Sequence, residues 1–212
     1  MKLTLPTGWE DVTLNQFQRI YELSEDLNLK PLDYKIEVIS ILSGVKFDDL
    51  IKLSVIDFNK LYEKLKFLET YPKAKPIEYV KLGKSVYEIS YDVSTLTAGQ
   101  YIDLSTLCKE PSEIPKKYHE IVAALSSKIT IGWFFGFKKD YEGYHKNAEA
   151  FKGLTMDKVF PICAFFLQVW SDLMADIPSY LNNQIETTMK EIQNEITKSP
   201  LKSSGDGFQS WT

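Results

Sequence analysis

Apolar positions recur every three to four residues along most of the chain and alternate with polar ones in one short stretch. That pattern predicts a mainly α protein carrying a small β-hairpin, an α+β irregular helical array. Thr13-Leu14-Asn15-Gln16 has the capping-box spacing, so a helix is expected to begin there and to bury Leu14, Phe17, Ile20, Tyr21 and Leu27 before the break at Asn28 to Pro31. A second helix is expected from about Leu32 to Leu42, with Ile36, Val38 and Ile39 inward and Gly44 supplying a left-handed end. Phe47 to Leu50 predicts a further helical turn, and Ser54 caps a helix carrying Phe58, Leu61, Tyr62, Leu65 and Leu68.

Pro72 and Pro76 close this first array, which gives an N-terminal helical region over 1–71. Ile77 to Val80 and Ser85 to Ser90 alternate around Leu82-Gly83-Lys84 and predict a hairpin within 72–92. A lone hairpin is marginal in water, so it is expected to dock on helices. Over 93–198 the helical pattern returns and is expected to pack on the first region. Thr97-Ala98-Gly99-Gln100 repeats the capping-box spacing ahead of Tyr101, Ile102, Leu104 and Leu107, and another helix follows Pro115, from about Lys117 to Ser126. The stretch 128–153 gives no clear period: Trp133, Phe134, Phe135 and Phe137 are interspersed with Gly132 and Gly136.

Thr155 is then expected to cap the central buried helix, which carries Val159, Phe160, Ile162, Phe165, Phe166, Val169, Trp170 and Leu173, with Pro161 tolerated near its first turn. Pro178 breaks it. Ser179 to Lys198 reads as a polar helix with a narrow stripe at Leu181, Ile185, Met189, Ile192 and Ile196, and 199–212 as a flexible tail containing Phe208 and Trp211. No internal repeat emerges.

Composition narrows the function classes. With 212 residues, 44% of them hydrophobic, the chain is able to bury a core. A net charge of -4 and a single arginine, Arg19, argue against a nucleic-acid partner, whose phosphates call for a basic surface. The most apolar run, Val159 to Ala175, is broken by Pro161, Gln168 and Asp172 and falls short of the roughly 20 residues that span a bilayer, so no membrane partner is expected. The N-terminal lead lacks the apolar core of a secretory signal, and Cys163 sits in an apolar run as a buried thiol would, both of which suit a reducing cytosol.

Candidate chemistry is sparse. His119 and His145 are the only histidines, too few for a two-histidine helical zinc motif, and His119 beside Glu120 reads as a helix-surface side chain. Neither Cys108 nor Cys163 lies in a nucleophile signature, and Gly132 to Gly136 lacks the Gly-Lys-Ser/Thr of a phosphate loop. Glu25, Asp26, Asp48 and Asp49 read as helix-end acids, and Lys116-Lys117 and Lys138-Lys139 as solvated faces. No catalytic, metal or cofactor site and no small-molecule substrate is expected. The candidate partner-binding residues are Leu181, Ile185, Met189, Ile192 and Ile196, a stripe suited to a partner helix, together with the tail aromatics Phe208 and Trp211. Replacing Ile185 and Ile192 by Asp is expected to abolish assembly and leave a folded monomer.

Several segments carry a family resemblance. Trp9-Glu10-Asp11-Val12-Thr13-Leu14-Asn15-Gln16-Phe17, Ile39-Ser40-Ile41-Leu42-Ser43-Gly44, Lys84-Ser85-Val86-Tyr87-Glu88-Ile89 and Thr97-Ala98-Gly99-Gln100-Tyr101-Ile102-Asp103-Leu104 resemble helical structural and assembly proteins of tailed bacteriophages, particularly crAss-like phages of gut bacteria. The resemblance covers roughly the first half of the chain. It implies a non-enzymatic protein that builds the virion, as a tail assembly chaperone or a component of the head-tail junction or particle interior. Its partners are then other phage structural proteins or its own copies, in the host bacterial cytoplasm during assembly or in the virion. Two alternatives stay open: a cytosolic enzyme whose site forms from dispersed residues around Trp133 to Phe137 and His145, and a host-directed regulatory adaptor.

Overall fold

Local signals placed most of the helices. In the computed structural model, which describes residues 3–72, 75–131, 137–141, 143–174 and 190, α1 spans Leu14–Ser24 and begins at a complete capping box: Thr13 accepts from the Gln16 backbone and Gln16 from that of Thr13. Helix α2, Pro31–Ser43, starts with proline in its first turn and ends at Gly44, whose φ of 72° is the left-handed conformation expected of that residue. After the single turn α3, Phe47–Leu50, Ser54 caps α4, Val55–Glu63, by accepting from the Asp57 amide. Two expected extensions are absent. Helix α1 stops at Ser24, so Leu27 lies in the connecting turn and is 96% exposed rather than inward. Helix α4 stops at Glu63, and Leu68 belongs to a following 3-10 turn, Lys66–Glu69, which Leu65 precedes.

Strands β1, Tyr79–Leu82, and β2, Ser85–Ile89, form the expected hairpin around Gly83, whose φ is 55°. Helix α5, Ala98–Leu107, has the second complete capping box, Thr97 with Gln100. Helix α6, Tyr118–Leu125, passes directly into β3, Ser126–Ile131, which pairs with β4, Phe137–Asp140. The four strands form one antiparallel sheet in the order β1-β2-β3-β4. The fold is thus mainly α with a small antiparallel sheet, but the hairpin does not dock on helices alone: the outer side of β2 is extended by β3, with Tyr87 opposite Lys128 and Ile89 opposite Ser126. Sheet pairing here is non-local, and the aperiodic stretch that supplies β4 gave no alternation by which to foresee it.

One turn of helix, α7 at Ala148–Phe151, precedes helix α8 over 156–174. Val159, Ile162, Cys163 and Phe166 on α8 are fully buried, while Phe165, also expected on this central buried helix, is exposed on its other side. Pro161 is its sixth residue, beyond the first turn, and lacks an N–H to bond the Asp157 carbonyl. The starts of α1 and α8 are strapped together: Leu14 N donates to Leu154 O (2.7 Å), Asn15 N to Lys152 O (3.0 Å) and Met156 N to Val12 O (2.8 Å). Edge-on packing of Tyr87 against Phe151 (5.3 Å) seats the sheet on α7. The chain divides into two compact units, Met1–Leu167 and Gln168–Thr212.

Candidate functional site

An aromatic-lined concavity lies in the N-terminal helical array. The lead folds into a 3-10 turn at Trp9–Asp11, stabilised by the Thr7 amide and hydroxyl donating to the Asp11 carboxylate (both 3.0 Å). Trp9 is then fixed by three contacts. Its indole N–H donates to the Thr70 carbonyl (2.7 Å), and its ring meets Phe17 at 6.2 Å and Phe67 at 5.6 Å in edge-on geometry. The indole bond spans 61 residues of sequence, and with the Phe67 contact it holds the lead against the 3-10 turn Lys66–Glu69 that follows α4.

Between them opens a recess of about 220 Å³ whose walls include Trp9, Phe17, Ile20, Tyr34, Val38 and Tyr62. Four of these walls come from helical phase: Phe17 and Ile20 are three apart on α1, and Tyr34 and Val38 four apart on α2. Burial pushes the Tyr34 hydroxyl above its ordinary pKa, with the neighbouring Tyr62 hydroxyl adding to the shift, so the Tyr34 phenol remains a protonated donor at neutral pH. Neither hydroxyl has a hydrogen-bond partner among the described residues. The Lys35 ammonium stands 4.6 Å above the Tyr62 ring, and Lys66 and Glu69 edge the mouth. The lining is apolar and aromatic with a few polar groups at the rim, the composition of a binding pocket.

Around the entry to α4 a second apolar feature appears. Ile51, Val55 and Ile56 are 54%, 75% and 68% exposed at the corner between α3 and α4, close in sequence to a wider, shallower depression floored by Leu3, Leu53 and Leu61. Sequence reading passed over both features. Trp9 lay in a lead assigned no element, Tyr34 was not singled out, and Ile56 follows a cap whose helix was read for its inward face alone.

The residues singled out for chemistry are dispersed. His119, expected on a helix surface, is only 9% exposed, because the face of α6 that carries it packs on α1 and α7. His145 is exposed, with its ring tilted by 37° against that of Tyr144 at 3.7 Å. The described residues bordering β3, β4 and Tyr141 enclose about 10 Å³, room for a single water, and Tyr141 donates to Asp103 (2.5 Å). Cys163 and Cys108 are free thiols; burial pushes Cys163 well above the ordinary thiol range and Cys108 up to about 11. The helix-end acids are engaged as such groups commonly are: Glu25 with Lys116 (2.7 Å), Asp26 with the Asn28 amide (2.9 Å) and Asp49 with Lys52 (2.8 Å). Lys116 is correspondingly not a freely solvated lysine, since it bridges Glu25 and Glu113.

Among the described residues no group of three or more His, Cys, Asp or Glu is placed to hold a metal ion, and no helix is long and apolar enough to cross a membrane. The partner-binding candidates Leu181, Ile185, Met189, Ile192, Ile196, Phe208 and Trp211 lie outside the described residues, as do Trp133, Phe134 and Phe135. No protein-family model, curated protein or solved structure matches the chain.

Proposed function

We propose that this chain is a non-enzymatic structural or assembly protein of a tailed bacteriophage that acts by binding other proteins, and that the aromatic recess of the N-terminal array is one of its contact sites. The recess is the observation that carries the reading. At about 220 Å³ it is smaller than the roughly 300–1,000 Å³ of most small-molecule sites, and it suits one large anchor side chain of a partner protein. Tyr34 and Tyr62 offer hydroxyls to the partner's backbone at its mouth. The phage assignment itself rests on the resemblance of the segments at Trp9–Phe17, Ile39–Gly44, Lys84–Ile89 and Thr97–Leu104, three of which coincide with the start of α1, the end of α2 and the start of α5.

Two measurements test this together. Mass spectrometry of purified particles and of infected-cell lysate locates the chain: presence in particles, or in lysate bound to capsid or tail proteins, is expected. A complex with host proteins alone would assign it to a host-directed adaptor instead. Tyr62→Asp places a charge at the recess mouth on a partly exposed position; it is expected to weaken capture of the virion partner at least tenfold while the helical circular-dichroism signal is retained. Unchanged capture would remove the recess from the interface.

A further inference from the structure

Gln18 is buried on α1, and its side-chain nitrogen lies 2.5 Å from the Lys116 carbonyl, 3.4 Å from that of Pro115 and 3.0 Å from His119 Nδ1. The Lys116 contact fixes the amide's orientation, because turning it would set two carbonyl oxygens against each other. An NH₂ group has no free acceptor orbital, so His119 Nδ1 must be the acceptor and carry no proton. The ring is therefore neutral with its proton on Nε2, which points toward Glu149 Oε1 on α7 at 3.8 Å.

We propose that His119 is a proton-sensitive clasp that holds α1 against α6 while neutral and hands its attachment to Glu149 of α7 when protonated. A proton added at Nδ1 sets an N–H donor against the Gln18 donor. The amide then keeps either its Lys116 contact or, by turning over, a contact with the ring, but not both. On the other side the imidazolium gains a charge-assisted bond to Glu149, in competition with Lys152, which sits 2.8 Å from the same carboxylate.

The charged groups around the ring are accounted for. Glu149 and Lys152 approach from α7 and the turn after it. Lys116, before α6, has its ammonium taken by Glu25 and Glu113, Glu120 follows on α6 itself, and α1 presents the uncharged Gln18. Burial first, and Lys152 second, hold His119 below the ordinary histidine pKa of 6.5 against the opposite pull of Glu149 and the Lys116 carbonyl, which keeps the clasp closed at neutral pH. What remains of the α1 attachment in acid is one of the two Gln18 contacts, the Phe17–Tyr118 stack (6.0 Å, 7° between planes), the Tyr21 hydroxyl donating to Ser112 O and the Glu25–Lys116 pair. The proposal is independent of the binding role of the recess.

Long-range ¹H–¹⁵N imidazole spectra of the full chain between pH 8 and 5, with His145→Gln to assign the two rings, read the clasp directly. The expected result is an Nε2–H tautomer for His119 at pH 8 and a midpoint below 6.5. Hydrogen exchange of the α1 amides, corrected for intrinsic rates, is expected to accelerate by up to about tenfold per pH unit below 6.5, the slope of a single proton. Gln18→Leu is expected to abolish that pH dependence; if it does not fold, Gln18→Glu is expected to raise the His119 midpoint and move the proton to Nδ1. An Nδ1–H tautomer in the unmodified chain, a midpoint at or above 6.5, or α1 protection indifferent to pH would overturn the proposal.

Discussion

Helices α1 and α5 start with the same four-residue device and use it differently. Thr13 and Thr97 both accept from the third helical amide, at 3.3 and 3.2 Å, and Gln16 and Gln100 both accept from the backbone and hydroxyl of their threonine. Each glutamine then turns its NH₂ to the end of another helix. Gln16 donates to Ile41 O (3.2 Å) at the end of α2, and Gln100 to Ala124 O (2.9 Å) at the end of α6. One side chain thus satisfies a helix start and a helix end at once. The rotation of the helix about its axis is what differs. In α1 the residue after the threonine, Leu14, is 0% exposed and Gln16 is half-buried; in α5 the corresponding Ala98 is exposed and Gln100 is 2% exposed. Identical local chemistry therefore anchors one helix through a leucine and the other through an amide.

The largest test of that difference is at the leucine. Leu14→Ala is expected to lower unfolding stability by about 3 kcal/mol through lost burial and a residual cavity, whereas Ala98→Ser, the matching position in α5, is expected to change it by no more than about 0.5 kcal/mol. Urea titration followed by circular dichroism measures both. Next come the glutamines. Gln100→Leu leaves the Ala124 carbonyl unpaired in the interior, at a cost of about 2 kcal/mol, and Gln16→Leu, nearer to solvent, about 1 kcal/mol. Equal losses at the two would show that burial does not distinguish them.

The threonines are expected to behave alike. Thr13→Ala and Thr97→Ala each remove one cap acceptor, and each is expected to cost about 1 kcal/mol in the same titration, because capping is set within the first turn whatever the helix packs against.

Acid provides the finest comparison, since only α1 is tied to His119. The folded pKa of that histidine is depressed, so below about 6.5 the unfolded chain binds a proton that the folded chain binds less readily, and stability falls as pH drops from 6.5 toward the folded pKa. His119→Asn is expected to flatten the stability curve in that window. The Thr97 end of α5 should show no local loosening there, as read by its amide exchange.

Sequence patterns that act within one turn were legible. The two capping boxes, the Ser54 cap, the Gly44 left-handed end and the Gly83 hairpin turn lie where they were predicted, because each depends on hydrogen bonds or backbone angles spanning four residues or fewer. The recess was not legible. It joins Trp9 to Thr70 and sets the lead beside α1, α2 and α4, a juxtaposition with no period and no motif. His119 was misread for a related reason: a polar residue beside Glu120 looks solvent-facing until Gln18, 101 residues earlier, supplies a buried partner for its ring.

By itself the sequence determined the capped starts of α1, α4 and α5, the left-handed end of α2, the mainly α composition of the fold and the Gly83 hairpin with its turn. The tertiary structure alone decided that the hairpin continues into a four-stranded sheet, which face of α1 and of α5 turns inward, and which aromatic side chains meet around a recess. Local choices are fixed by short-range sterics and hydrogen bonding. The inward face of a helix and the neighbour of a strand are fixed instead by burial against segments remote in the chain, where many sequences satisfy the same hydrophobic demand.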